Sequence, residues 1–237
     1  MKPYVKICCI ASTDEAQLAM SLGATALGLV SAMPSGPGPI ADALIAEIAA
    51  SVPPPIATFL LTCRQDAESI IEQHAVCHTS TLQLVDYVAA AELKKLRARL
   101  PGIRLVQVIH VGGEESVDEA RAVGGLVDAL LLDSGNQKLA VKELGGTGRV
   151  HDWKISRRIR EVSNVPLYLA GGLNAGNVAE AIAAVEPHAV DICSGVRTDG
   201  KLDAVKLRAF LHALEMGTVP ISQQMGTVPI IGATRVV

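Results

Sequence analysis

Aromatic side chains are scarce in this sequence: two Phe, three Tyr and one Trp among 237 residues. A core must therefore come from Leu, Val, Ile and Ala, which the 49% hydrophobic content supplies. No basic or aromatic stripe runs along the chain, and a formal net charge of −3 leaves no footprint for nucleic acid. Apolar runs long enough to span a membrane are missing, and the opening MKPYVKICCI lacks the long apolar region of a secretory signal. The five cysteines (Cys8, Cys9, Cys63, Cys77, Cys193) are odd in number and have no CxxC metal spacing. Reduced thiols in a cytoplasmic protein are the expectation. The six histidines are scattered without metal-ligand spacing, and only His110, near the end of a strand, is placed to face a site.

What the chain does have is alternation. Short apolar runs at 5–10, 26–30, 56–61, 81–84, 104–111, 129–132, 167–170 and 189–192 read as buried strands. Helical patterns follow them at about 13–22, 41–50, 66–73, 86–100, 115–123, 153–162, 177–185 and 204–216. Ser12-Thr13-Asp14-Glu15 fits a capping box, Gly23 a helix stop, and Asp152 a cap before Trp153. Eight βα units in a chain of this length predict one closed (β/α)₈ TIM barrel over residues 1–216, with an open doubly wound sheet as the alternative. Beyond it, MGTVPI occurs at 216–221 and again at 225–230. Two copies are too few for a solenoid, so residues 217–237 read as a short irregular C-terminal tail.

In such a barrel, catalytic groups sit at the carboxyl ends of the strands. The sixth run ends on Asp133, and Gly145-Gly146-Thr147-Gly148 follows in a long loop before the next helix. Taken alone, an Asp capping a turn and glycines relieving strain explain that stretch as well as a working loop does. Gly171-Gly172 after the seventh strand and Ser194-Gly195 after the eighth form a second signal. Glycines on consecutive late strands, with a hydroxyl and a short helix beginning near Asn174, make a phosphate cradle of backbone N–H groups. Cys8, at the end of the first strand, faces Asp133 across the mouth, and a thiolate and a carboxylic acid form a usable base and acid. On a continuing strand Cys9 points to the opposite face, so only one of the two can be the base. A small buried hydrophobe is the commoner fate of a free cysteine.

Those residues resemble the phosphoribosylanthranilate isomerase family of tryptophan biosynthesis. The matches are Lys6-Ile7-Cys8, Ala26 to Val30, Leu131-Leu132-Asp133-Ser134, Gly145-Gly146-Thr147-Gly148, Asp152-Trp153, Leu169 to Asn174, Asn177-Val178, Asp191, Ser194-Gly195-Val196 and Gly200-Lys201 with Asp203. The resemblance implies an Amadori rearrangement of an N-linked phosphoribosyl amine to an aminodeoxyribulose phosphate. Asp133 would open the ribose ring as general acid, and Cys8 would take the proton from the sugar C2. Gly171, Gly172, Ser194 and Gly195 would hold the phosphate, Asp191 would sit near the ribose hydroxyls, and Gly146 and Gly148 would belong to the substrate loop. No metal or organic cofactor is implied, and the expected partner is a phosphorylated small molecule, with the chain a monomer or homodimer.

Four positions depart from the family pattern. Gly38 stands where the loop after strand two carries an arginine that faces the anthranilate carboxylate. Val85 stands where a histidine follows strand four, Cys9 where a glycine follows the cysteine, and Arg197 where a glutamate is common. A lost charge-assisted contact is worth ~1.5–3 kcal/mol, Asp86 at the same mouth would repel a carboxylate, and Arg64 after strand three is a candidate replacement cation. Three readings follow: a phosphoribosylanthranilate isomerase with a rearranged pocket, an isomerase of another phosphorylated sugar derivative, or a non-catalytic barrel that binds a phosphorylated ligand.

Overall fold

A strand buried on both faces reads as an unbroken apolar run, and the runs in this chain form a single closed sheet. The computed structural model describes residues 2–135, 142, 144 and 148–218. Its eight parallel strands are β1 (Tyr4–Ile7), β2 (Ala26–Val30), β3 (Ala57–Thr62), β4 (Thr81–Leu84), β5 (Arg104–His110), β6 (Ala129–Asp133), β7 (Leu167–Leu169) and β8 (Ala189–Ile192). They alternate with α1 (Thr13–Ser21), α2 (Asp42–Ser51), α3 (Ala67–Cys77), α4 (Ala90–Arg99), α5 (Glu115–Gly124), α6 (Trp153–Val162), α7 (Val178–Val185) and α8 (Ala204–Thr218). The ladder from Tyr4↔Ala189 to Ile7↔Ile192 closes β1 on β8 and excludes the open sheet.

The two-residue period of a strand divides the core into two layers. Val5, Ile7, Leu27, Leu29, Leu130, Leu132, Val190 and Ile192 pack outward against the helices. Ala26, Phe59, Leu61, Val106, Val108, Ala129 and Leu131 fill the barrel. Two of the few aromatics meet inside it, Phe59 edge-on to Tyr168 with ring centroids 5.7 Å apart. Each Leu or Ile buried this way is worth ~1.5–3 kcal/mol, so aliphatics supply most of the barrel's core. The same alternation places Lys6, Asp191 and Asp133 on the inner side.

Several boundaries differ from the sequence reading. Helix α4 starts at Ala90 rather than at 86, because the Asp86 carboxylate accepts from Tyr87 N–H at 2.8 Å instead of capping a helix, and Val88 is buried. Helix α3 continues to Cys77 and stops where His78 turns left-handed, φ 52°. No separate short helix begins at Asn174. Asn177 Oδ1 accepts from Asn174 N–H at 2.8 Å, Asn174 Oδ1 accepts from Gly176 N–H at 2.8 Å, and α7 opens at Val178. The short helical turn lies instead after β8, a 3₁₀ segment Ser194–Val196, followed by a two-stranded ribbon of β9 (Arg197–Thr198) and β10 (Lys201–Leu202). Helix α8 passes Met216 and packs on α7, where a Cβ at Gly217 would lie 2.7 Å from Ala179 Cα. The expected tail from residue 219 onward lies outside the described residues. Among the described residues no helix is long and apolar enough to cross a membrane.

Candidate active site

Strand β1 ends at Ile7. Cys8 N–H still donates to Ile192 O at 2.8 Å, but Cys9 then adopts a left-handed backbone, φ 63°. The reading that Cys8 and Cys9 face opposite ways assumed a continuing strand. The left-handed turn breaks the alternation, and both thiols line one cavity at the barrel mouth. Arg197 fastens this turn: its Nη2 donates to Cys8 O at 3.1 Å and Cys9 O at 2.5 Å, and its Nη1 to Glu15 Oε1 at 3.1 Å. Glu15 accepts from Leu202 N–H at 2.8 Å as well, so the α1 capping carboxylate ties β10 to the end of β1.

The cavity is lined by Cys8, Asp133, Gly148, Gly171, Gly172, Asp191 and Ser194, which are most of the predicted site residues. Gly195 stands behind that wall, where a Cβ would run into Leu173 O. Gly146 lies outside the described residues, with Gly145 and Thr147.

Below Cys8 lies a buried ion pair that the sequence reading did not assign. Lys6 Nζ donates to Asp191 Oδ2 at 2.9 Å, with the lysine side chain fully buried. Gly28 makes room for it, since a Cβ there would sit 2.9 Å from both Cys8 Sγ and Lys6 Nζ. Burial opposes the charge on Lys6, but Asp191 and then Cys8 outweigh it and hold the ammonium well above its ordinary value. Burial also pushes the Asp191 carboxyl up, with Lys6 pulling the other way. Asp191 Oδ1 is buried and has no partner among the described residues, on a side chain that lines the cavity. A lone lysine inside an apolar strand run was the available signal.

Asp133, half-buried at the end of β6, accepts from Ser134 N–H at 2.7 Å through Oδ1. A Cβ at Gly171 would meet this oxygen at 3.3 Å and His151 Nδ1 at 3.0 Å, so acid and imidazole flank the same glycine. Burial lowers the His151 pKa against the pull of Asp133 and Asp152. Gly171 and Gly172 take left-handed φ values of 84° and 63°, and a Cβ at Gly172 would strike the Arg149–Val150 backbone at 2.7 Å. The β6 and β7 loops can touch there only over glycine.

The loop after β2 forms another wall through Met33, Ser35, Gly36 and Pro37. Ser35 Oγ donates to Lys142 O at 2.6 Å, linking this loop to the one after β6. Lys142 Nζ in turn sits 2.6 Å from Asp86 Oδ2. The expected repulsion from Asp86 is therefore corrected, because its buried carboxylate is already paired. Arg64 is corrected too: its Nη1 donates to Ser69 O at 2.7 Å, turned toward α3. His110 ends β5 in register with Asp133, but its Nε2 bonds Val85 O at 2.9 Å, and the ring is not among the residues lining the cavity.

A cysteine and a carboxylate beside glycine turns of β7 and β8 is the arrangement the resemblance implies, and the chain as a whole is similar to known proteins. Residues 5–213 match the family model described as N-(5'phosphoribosyl)anthranilate (PRA) isomerase. The chain belongs to this family. It is 35% identical over 226 residues to the N-(5'-phosphoribosyl)anthranilate isomerase of Methanosarcina acetivorans, covering 90% of this chain and 93% of that protein. The crystal structure of phosphoribosyl anthranilate isomerase from Thermotoga maritima superposes with a TM-score of 0.77 at 26% identity, covering 90% of this chain and 99% of that one. A further isomerase of the family, solved in complex with reduced 1-(o-carboxyphenylamino)-1-deoxyribulose 5-phosphate, gives a TM-score of 0.75 at 25% identity, covering 90% and 99%. Within the family frame, Val85 keeps a place in the cavity wall as an apolar residue, and the histidine bonded to its carbonyl comes from the neighbouring strand.

Proposed function

We propose that this cavity isomerises N-(5'-phosphoribosyl)anthranilate to 1-(o-carboxyphenylamino)-1-deoxyribulose 5-phosphate, with Asp133 and Cys8 as its acid–base pair. The observation that carries the reading is that Cys8 and Asp133 line one cavity together with Gly171, Gly172 and Ser194. Protonation of the ribose ring oxygen by Asp133 breaks the ring C–O bond and leaves an iminium ion. Cys8 then takes the C2 proton, giving an enolamine that tautomerises to the amino ketone. The net change moves hydrogen within one molecule, so no outside oxidant or reductant takes part.

Backbone N–H groups around Gly171, Gly172, Ser194 and Gly195 hold the phosphate in this scheme, and Asp191 Oδ1, without a partner among the described residues, accepts from a ribose hydroxyl. Among the described residues no lysine or arginine lines the cavity. We assign the anthranilate carboxylate to Lys142, whose ammonium rests on Asp86 beside Val85 of the cavity wall.

Turnover of freshly prepared phosphoribosylanthranilate, followed by loss of its fluorescence, tests the proposal. The unmodified protein should turn it over, and Cys8→Ala should lose ~10²–10⁴-fold in kcat, the usual range for a missing acid–base group. A protein that binds a ribose phosphate yet leaves phosphoribosylanthranilate untouched would sink the substrate assignment.

A further inference from the structure

Three thiols converge where β1 and β8 end, and the acid–base scheme uses only Cys8. Cys9 Sγ and Cys193 Sγ lie 2.7 Å apart, one S–H donating to the other sulfur. Cys9 holds φ 63°, a conformation that costs a non-glycine residue ~1–3 kcal/mol. Gly38 leaves the space its side chain fills. Cys193 and Cys9 both line the cavity, within reach of a small solute, Cys193 half-buried and Cys9 buried. The contact with Cys9, and after it the Arg197 charge, draws the Cys193 thiol below its ordinary value against the effect of burial. Cys9 is pushed upward by the thiols that share its proton and by burial. A thiol of lowered pKa on a cavity wall, with a second thiol in contact, is the arrangement that favours oxidation to a disulfide over further oxidation. Cys63 and Cys77 stand apart, Cys63 bonded to Ala32 O at 3.4 Å and Cys77 to Asp42 O at 3.8 Å.

We propose that Cys9 and Cys193 form a peroxide-oxidised dithiol, a modification site beside Cys8 whose closure to a disulfide stops turnover. Its effect on turnover rests on the isomerase reading above. The Cys193 thiolate attacks one oxygen of hydrogen peroxide, the O–O bond breaks, and the hydroxide that leaves takes up a proton as water. The resulting sulfenic acid is attacked at sulfur by Cys9. The S–O bond breaks, and the departing hydroxide carries off the Cys9 proton as a second water. Two thiols and one peroxide thus give one disulfide and two waters. The new bond ties the residue after Cys8 to the residue before Ser194. It therefore holds the base and the phosphate turn in a fixed relation and removes the thiol in contact with Cys8.

The test treats the full chain with hydrogen peroxide, blocks remaining thiols with N-ethylmaleimide, and maps the peptides by mass spectrometry, with turnover measured in parallel. A Cys9–Cys193 peptide should form while Cys63 and Cys77 stay alkylated. Turnover should fall at least tenfold and return with dithiothreitol, and Cys193→Ser should show neither the link nor the reversible loss. A Cys8–Cys9 link, sulfinic acid at Cys193, or a Cys9–Cys193 link that leaves turnover unchanged would each overturn the proposal. If the untreated protein shows no turnover, the isomerase reading fails on its own, and the peptide map still decides whether the dithiol exists.

Discussion

The space a side chain at position 38 would need is already occupied by Cys9: a Cβ built on Gly38 would lie 2.6 Å from Cys9 Cβ. These are two of the positions at which the chain leaves the family pattern, a cysteine where a glycine is usual and a glycine where an arginine is usual. They touch, so the residue at one position limits what the other can hold.

Restoring Gly38→Arg alone should therefore destabilise the barrel by about 2–4 kcal/mol, from the collision and from a side chain at φ 80°. Adding Cys9→Gly should recover at least ~1 kcal/mol beyond additivity. Urea denaturation of the two single variants and the double variant measures the coupling, and strictly additive losses would refute it.

The buried pair under Cys8 behaves differently from a surface ion pair. Lys6→Met leaves Asp191 buried with no counter-ion, which should cost ~3–5 kcal/mol, whereas Lys6→Met with Asp191→Leu should regain part of that loss. Chemical denaturation gives both values. Equal stabilities for the single and double variants would show that the lone carboxylate is relieved in another way.

Acid should loosen the turn that carries Cys8. Burial raises the Glu15 pKa, but Leu202 N–H and then Arg197 outweigh it and hold the carboxyl below its ordinary value. A carboxylate with a depressed folded-state pKa contributes stability above the unfolded value, ~4.3, and loses it as pH falls through the folded value. Melting temperature should thus drop below about pH 4, and Glu15→Gln should flatten that part of the curve while lowering the plateau above it.

Lys142→Met removes the cation assigned to the substrate carboxylate. KM for phosphoribosylanthranilate should rise about tenfold, in keeping with the ~1.5–3 kcal/mol of a charge-assisted contact, while kcat changes by less than about threefold. Steady-state kinetics separates the two, and a fall in kcat at constant KM would assign Lys142 to the chemistry instead.

The barrel was legible because its strands are buried on both faces and read as apolar runs, such as Ala129 to Leu132, with Asp133 marking the end. The glycines at 171, 172 and 195 were legible as well, because close backbone approach admits nothing larger. The partnerships of charges were not. Lys6 finds Asp191, Asp86 finds Lys142, and Arg197 finds Glu15 and the Cys8–Cys9 carbonyls through the closing of the sheet and the meeting of loops, which no local pattern encodes. Asp86 was misread as helical because an Asp before a helical run resembles a cap. Cys9 was misplaced because strand periodicity stops at Ile7, three residues earlier than the apolar run suggests.

Lys6 and Asp191 are 185 residues apart in the chain. On a ribosome, the lysine emerges with the first strand and must wait for nearly the whole domain before its counter-ion exists. A charged amine cannot be sealed into an apolar barrel alone, so a nascent chain lacking β8 has reason to keep its first strand in water. Joining the two ends of such a long loop is slow. Until they join, there is neither a floor beneath Cys8 nor the Ser194 turn to which the proposed function gives the phosphate, and a chain cut short before β8 should have no site at all.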